Sequence, residues 1–172
     1  LGDGIYVLLK EAVDNSIDEF SMGFGKQIQI TVDEKTATVR DFGRGIPLNS
    51  VVKAVSKLNT GGKYDTKGYK KSVGLNGVGI KAVNALSSHF YVEAFRDGMS
   101  SFAEFREGKL IDSGQRPSKE KNGTLVKFTP DEHLFVDYSF RMEFIESMMK
   151  NYSYLKKGLS LNFNGTTYKS EN

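Results

Sequence analysis

Two helical neighbours open the chemistry of this chain. In Glu11-Ala12-Val13-Asp14-Asn15 the carboxylate and the amide are four residues apart, so both project from one face of a helix. A carboxylate can orient or deprotonate an attacking water. An amide oxygen suits Mg²⁺, a hard cation that prefers oxygen ligands and keeps several waters. Glu11 is therefore the candidate base and Asn15 the candidate metal ligand. Taken alone, Glu11, Asp14, Asp18 and Glu19 also read as an ordinary acidic helix face.

Three further elements follow in order. Asp41-Phe42-Gly43-Arg44-Gly45-Ile46-Pro47 places a short carboxylate before two glycines, where it can accept from an exocyclic amine while the backbone passes close to a flat ring. The alternative is an Asp-Gly turn closed by a proline. Gly74-Leu75-Asn76-Gly77-Val78-Gly79 leads into a helix at Ile80, and free N–H groups at a helix start favour an anion. Its spacing reverses the dinucleotide fingerprint, and the chain has no Gly-x-x-x-x-Gly-Lys-[Ser/Thr], which excludes a P-loop. A hinge before a helix would look the same. Lys63, Lys67, Lys70 and Lys71 precede this run, as a lid over phosphates or as a solvated basic loop. Gly123-Thr124 adds a hydroxyl that can support Asp41 or a bound water, although threonine is also a common strand former.

The elements that must position these groups are legible from periodicity. Ile5, Leu8, Leu9, Ala12, Val13 and Ile17 recur at helical spacing, and Gly23 or Gly25 ends that helix. Strands are expected at 26–32 and 36–40, the second running straight into Asp41. A short helix is expected at 51–58, a polar glycine-containing loop at 60–72 and a helix at 80–86. Strands near 89–96, 99–106, 109–113 and 123–129 follow, with Asp97-Gly98 as the first hairpin turn. A helix over 139–150 and a last strand at 159–163 complete the pattern. Hairpin-linked strands with helices mainly in the first half predict an α+β layer fold, with residues 1–172 as one domain.

Composition excludes several classes. At 172 residues with 38% hydrophobic and 26% charged content, the chain reads as a soluble globular domain. There are no cysteines, hence no disulfides or thiolate metal sites, which is compatible with the cytoplasm. His89 and His133 are not spaced as a ligand pair. No apolar run is long enough to span a membrane, and the first residues lack the basic region followed by an apolar core that a secretory signal would show, so none is expected. The net charge of +3 is a weak pointer to nucleic acid. Starting at Leu1 within a helical pattern, the chain reads as a piece of a longer protein.

The order Glu-x-x-x-Asn, Asp-x-Gly-x-Gly, Gly-x-x-Gly-x-Gly, Gly-Thr resembles the GHKL ATPase superfamily. That superfamily includes type IIA topoisomerases, ninety-kilodalton heat-shock chaperones, MutL-type repair proteins and histidine kinases. Glu11 to Glu19, Arg40 to Pro47, Thr60-Gly61-Gly62-Lys63-Tyr64 and the Gly74–Gly79 run look like the ATPase subunits of bacterial type IIA topoisomerases, gyrase or topoisomerase IV. The resemblance implies a two-layer α+β sandwich, a mixed eight-stranded sheet with helices on one face. It implies ATP and Mg²⁺ as ligands, Glu11 as base, Asn15 as the metal ligand and Asp41, supported by Thr124, as the adenine-reading acid. Gly77, Val78 and Gly79 match the phosphate-binding backbone, within the Gly74–Ile80 stretch. Lys63 and Lys70 match lid residues, and Arg44, before Gly45, Ile46 and Pro47, resembles the arginine that stacks beside the adenine pocket and pairs with the acid at Glu19. Arg96 matches a residue contacted by ATP-competitive inhibitors. Asn76, where gyrase usually has His, leans toward the topoisomerase IV type. DNA and a DNA-cleaving partner subunit are implied only through a longer protein that dimerises on ATP binding. For this chain alone the resemblance implies a monomer, and a nucleotide- or inhibitor-binding module without turnover, or a MutL-type ATPase, are the alternatives.

Overall fold

The computed structural model describes residues 3–56 and 79–170. Helix α1 (Gly4–Ser21) is followed by strands β1 (Gln27–Val32) and β2 (Ala37–Asp41), a 3₁₀ turn (Leu48–Ser50) and helix α2 (Val51–Val55). After α3 (Gly79–Ala85) come β3 (Ser87–Arg96), β4 (Met99–Arg106), β5 (Lys109–Pro117) and β6 (Gly123–Pro130). Helix α4 (Met142–Leu155) and the hairpin β7 (Ser160–Phe163) and β8 (Thr166–Lys169) complete the described elements.

The eight strands form one sheet in the order β5-β4-β3-β6-β2-β1-β7-β8. Every neighbouring pair is antiparallel except β1 with β7, so the sheet is mixed. Side chains alternate across it as strand geometry requires. In β1, Ile28, Ile30 and Val32 are buried while Gln27, Gln29 and Thr31 are exposed. The buried sets of six strands meet the apolar stripe of α1 (Ile5, Leu8, Leu9, Ala12, Val13, Ile17) in one core, with Ile80, Val83, Ile145 and Met149 from α3 and α4. Helices thus cover one face and leave the other polar, as an α+β two-layer arrangement requires. No described helix is long and apolar enough to cross a membrane.

Among the described residues the expected elements match within a few residues, with three differences; the loop expected at 60–72, with Lys67 and Lys71, lies outside them. The sequence reading stops the sheet at residue 163, yet β8 follows. Asn164 and Gly165 both have positive φ, the two-residue turn that suits the twist of a hairpin. β5 runs to Pro117, although it is exposed along almost its whole length and so shows no alternation. The last helix is Met142–Leu155, because Phe140 and Tyr138 belong to an aromatic cluster ahead of it, where Phe140 meets Tyr6 and Tyr138 edge to face.

This packing sets the response to truncation. Leu9 is fully buried between α1 and the sheet. Leu9→Ala is expected to cost ~2–5 kcal/mol through lost transfer energy and a cavity. Tyr154→Ala, at a side chain 77% exposed, is expected to stay within about 0.5 kcal/mol. Urea unfolding of the two variants checks both.

Candidate functional site

Strand parity decides which face carries the chemistry. Asp41 shares the side of Ala37 and Val39, and Thr124 shares that of Val126 and Phe128, so both emerge on the helix-covered face. There Asp41 is 6% exposed and lies under α1. Its Oδ1 accepts from the Gly43 N–H at 3.0 Å and the Thr124 N–H at 3.2 Å. Its Oδ2 accepts from the Ser16 hydroxyl at 2.9 Å. Burial pushes the Asp41 carboxyl above the ordinary aspartate range, with Glu19 adding to it. The three donors pull the other way.

Thr124 supports Asp41 through its backbone. Its hydroxyl accepts from the Ile46 N–H at 3.3 Å and so fixes the loop after Gly45. Gly45 has φ +82°, and a Cβ there would lie 2.7 Å from the Phe95 carbonyl oxygen and 2.9 Å from that of Gly123. The loop therefore needs glycine at this position for both conformation and space. Arg96 closes the corner by donating from Nε to the Gly45 carbonyl at 3.0 Å.

Along α1 the polar stripe runs Glu11, Asn15, Glu19. At its C-terminal end Glu19 accepts from the Arg44 guanidinium at 2.8 and 3.2 Å and from the Arg44 N–H at 2.8 Å. The guanidinium also lies 4.4 Å over the Phe24 ring. Hydrogen bonds from the Arg44 side chain hold the Glu19 carboxyl below its ordinary range, against a burial effect of opposite sign. At the other end Glu11 abuts Gly79, the first residue of α3, where a Cβ would overlap the Glu11 carboxylate oxygen. Burial, then Asp14, push the Glu11 carboxyl up; Lys10 opposes them and Asp18 adds to them. Lys10 is itself paired with Asp14 at 2.6 Å. Between the two ends, Asn15 makes no hydrogen bond through its amide to any described residue. It lines a cavity of about 350 Å³ with Asp18, Glu19, Arg44, Gly45, Ile46, Pro47 and Arg96.

Glu11, Asn15, Glu19, Asp41, Arg44, Gly45, Ile46, Pro47, Gly79, Arg96 and Thr124 thus converge on one side of α1. Ile80 is buried in the core beside them. Lys63, Lys70, Gly74, Leu75, Asn76, Gly77 and Val78 lie outside the described residues. Sequence reasoning missed Ser16. Its signal was available: it extends the apolar stripe, at i+4 from Ala12 and i+3 from Val13, and a hydroxyl buried there requires a partner. Arg40 was also missed as a structural group. It projects from the opposite face between the Phe42 and Phe95 rings, at 4.3 and 4.6 Å. It donates to the Lys121 carbonyl at 2.6 Å and to the Asp41 carbonyl.

The family described as histidine kinase-, DNA gyrase B- and HSP90-like ATPases matches residues 2–134, and the chain belongs to it. By homology it is an ATPase domain of the kind carried by the B subunits of topoisomerase 4 and gyrase. It is 48% identical over its whole length to the B subunit of DNA topoisomerase 4 from Borreliella burgdorferi, covering 29% of that protein. It is 37% identical to the B subunit of DNA gyrase from Mycoplasma genitalium, over 94% of the chain and 27% of the relative. For the B subunit of DNA topoisomerase 4 from Enterococcus faecalis the identity is 34%, over 92% of the chain and 25% of the relative. The chain therefore spans less than a third of the length of these relatives.

The Arg44–Glu19 pair gives a test of the site's electrostatics. In Arg44→Ala the Glu19 carboxyl is expected to titrate higher than in the parent chain, in ¹³C-detected carboxyl NMR. Because the folded value in the parent is depressed, the pair's contribution to stability is full above the ordinary glutamate range. It is lost as pH falls through the folded value, and Arg44→Ala removes that dependence.

Proposed function

We propose that this chain is the ATP-binding domain of a bacterial type IIA topoisomerase subunit of topoisomerase IV or gyrase type, and that it hydrolyses ATP within the longer subunit. The observation that carries the reading is the clamped Asp41 carboxylate on the sheet floor, beside a helix that presents Glu11, Asn15 and Glu19 along one stripe. Eight residues separate Glu11 from Glu19, ~12 Å along the axis. That length suits a nucleoside triphosphate lying along α1, base toward Asp41 and terminal phosphate toward Glu11 and the start of α3.

The residues divide the work by their chemistry. Asp41 accepts from the exocyclic amine of adenine, and Ile46 and Pro47 offer apolar contact to the ring. The Arg44–Glu19 pair and Arg96 wall the mouth of the cavity, where a competitive inhibitor would also sit. The Asn15 amide, free of described partners and beside the Asp18 carboxylate in the cavity lining, supplies the kind of oxygen Mg²⁺ prefers. When bound, that ion would neutralise charge on the phosphate oxygens. Lys63, Lys70 and the Gly74–Val78 backbone are assigned to the phosphates by resemblance alone. Glu11 accepts a proton from the water whose oxygen attacks the terminal phosphorus, as the bond to the ADP oxygen breaks. Its raised pKa makes it a better acceptor than an exposed glutamate. In the longer protein, closure of two such domains on ATP would drive DNA strand passage with a DNA-cleaving partner, in the cytoplasm.

Glu11→Gln is expected to retain ATP binding and to lower kcat by ~10²–10⁴-fold in the longer subunit. Equal hydrolysis by parent and variant would remove Glu11 from the role of base. In the parent, kcat is expected to fall on acidification with a midpoint above the usual glutamate value of ~4.3. A pH-rate profile at saturating ATP checks this. The isolated 172-residue chain is expected to bind ATP as a monomer with negligible steady-state turnover. Turnover matching the longer subunit in a phosphate-release assay would overturn that reading.

A further inference from the structure

A buried carboxyl can recognise two opposite partners. Ionised, it only accepts hydrogen bonds. Protonated, it also donates one. A 6-amino purine offers a donor at the recognised position and a 6-oxo purine offers an acceptor. The state in which Asp41 is held therefore sets which purine the site prefers.

Three donors hold it, and they are not equivalent. Gly43 and Thr124 act through backbone N–H groups, and both serve Oδ1. Oδ2 has one protein donor among the described residues, the Ser16 hydroxyl. The neighbouring cations do not take over this role. Arg40, from β2, donates to the Asp41 main-chain carbonyl and the Lys121 carbonyl. Arg44, from the β2 exit loop, is committed to Glu19 of α1, and Arg96 of β3 to the Gly45 carbonyl. Glu19 is the nearby acid, and it disfavours the ionised form. Ser16 itself is 5% exposed, so water does not replace it freely.

We propose that Ser16 is a positioning residue for base selectivity: by donating to Asp41 Oδ2 it holds that oxygen as an acceptor, so the site selects a 6-amino over a 6-oxo purine nucleotide. The proposal rests on the reading of Asp41 as the base-recognising acid. In Ser16→Ala the Oδ2 atom loses its donor while burial remains, which favours the protonated carboxyl. That carboxyl can donate to a 6-oxo group, so discrimination shrinks.

The test is equilibrium binding of ATP and inosine triphosphate, whose purines differ at the 6-position and at N1, an acceptor in adenine and an N–H donor in hypoxanthine, to the 172-residue chain. The parent chain, Ser16→Ala and Asp41→Asn are measured side by side. The parent is expected to prefer ATP. Ser16→Ala is expected to weaken ATP by ~10-fold or more, the scale of a lost hydrogen bond to a charged group, with inosine triphosphate affected less. The ratio of the two affinities then narrows. A purely structural serine would weaken both nucleotides alike, and an unchanged ratio in Ser16→Ala overturns the proposal. Asp41→Asn separates the underlying reading, because an amide places a donor in the site and should erase the preference for ATP. If Asp41→Asn keeps that preference, Asp41 does not read the base, and the failure lies there rather than with Ser16.

Discussion

One buried carboxylate governs the architecture around it. Asp41 sits at the end of a strand on the helix-covered face, where an unpaired charge would be prohibitively costly. Its three donors come from three places: helix α1, the turn after β2, and the start of β6. Satisfying it therefore fixes α1 against the sheet, sets the path of the Gly43–Pro47 loop and brings Thr124 level with Asp41. Thr124 then pins Ile46, and Arg96 pins Gly45. The cavity walls follow from the need to solvate one acid with protein groups.

The same helix works in two directions. Its apolar stripe anchors it in the core, and its polar stripe presents Asn15 and Glu19 to the cavity and Glu11 to Gly79 at the start of α3. Ser16 lies between the two, buried like its apolar neighbours but bonded to the site. The ends of the polar stripe differ in electrostatic character. Glu19 is held in its ionised form by Arg44, whereas burial and acidic neighbours raise the proton affinity of Glu11. A fixed wall and a proton acceptor are thus built from the same residue type two turns apart.

Much of this was legible in the residues. The 3.6-residue repeat of α1, the strand running into Asp41 and the Asp97-Gly98 turn revealed the framework, because local periodicity reports burial directly. What was not legible depends on distance in sequence. That Thr124 serves Asp41 through its N–H, and Ile46 through its hydroxyl, follows from β2–β6 register, which no local pattern records. The exposed β5 shows no alternation to read. β8 buries no residue fully and so, unlike the equally short β7, shows no alternation, although the Asn164-Gly165 pair before it is a turn signal. Arg40 reads as a surface charge until Phe42 and Phe95 are placed on either side of it.

The single parallel pairing in the sheet has a consequence for how the protein is made. β1 lies beside β2, the strand that ends in the buried acid, and its outer edge is sealed by β7, more than a hundred residues later in the chain. Asn164 extends that seal by bonding both the N–H and the carbonyl of Val32. During synthesis the edge of Gln27–Ile30 must wait, unpaired and half apolar, until Ser160–Phe163 leaves the ribosome. Such an edge can recruit a strand from another chain, so the closing hairpin protects the nascent polypeptide from self-association as much as it completes the sheet.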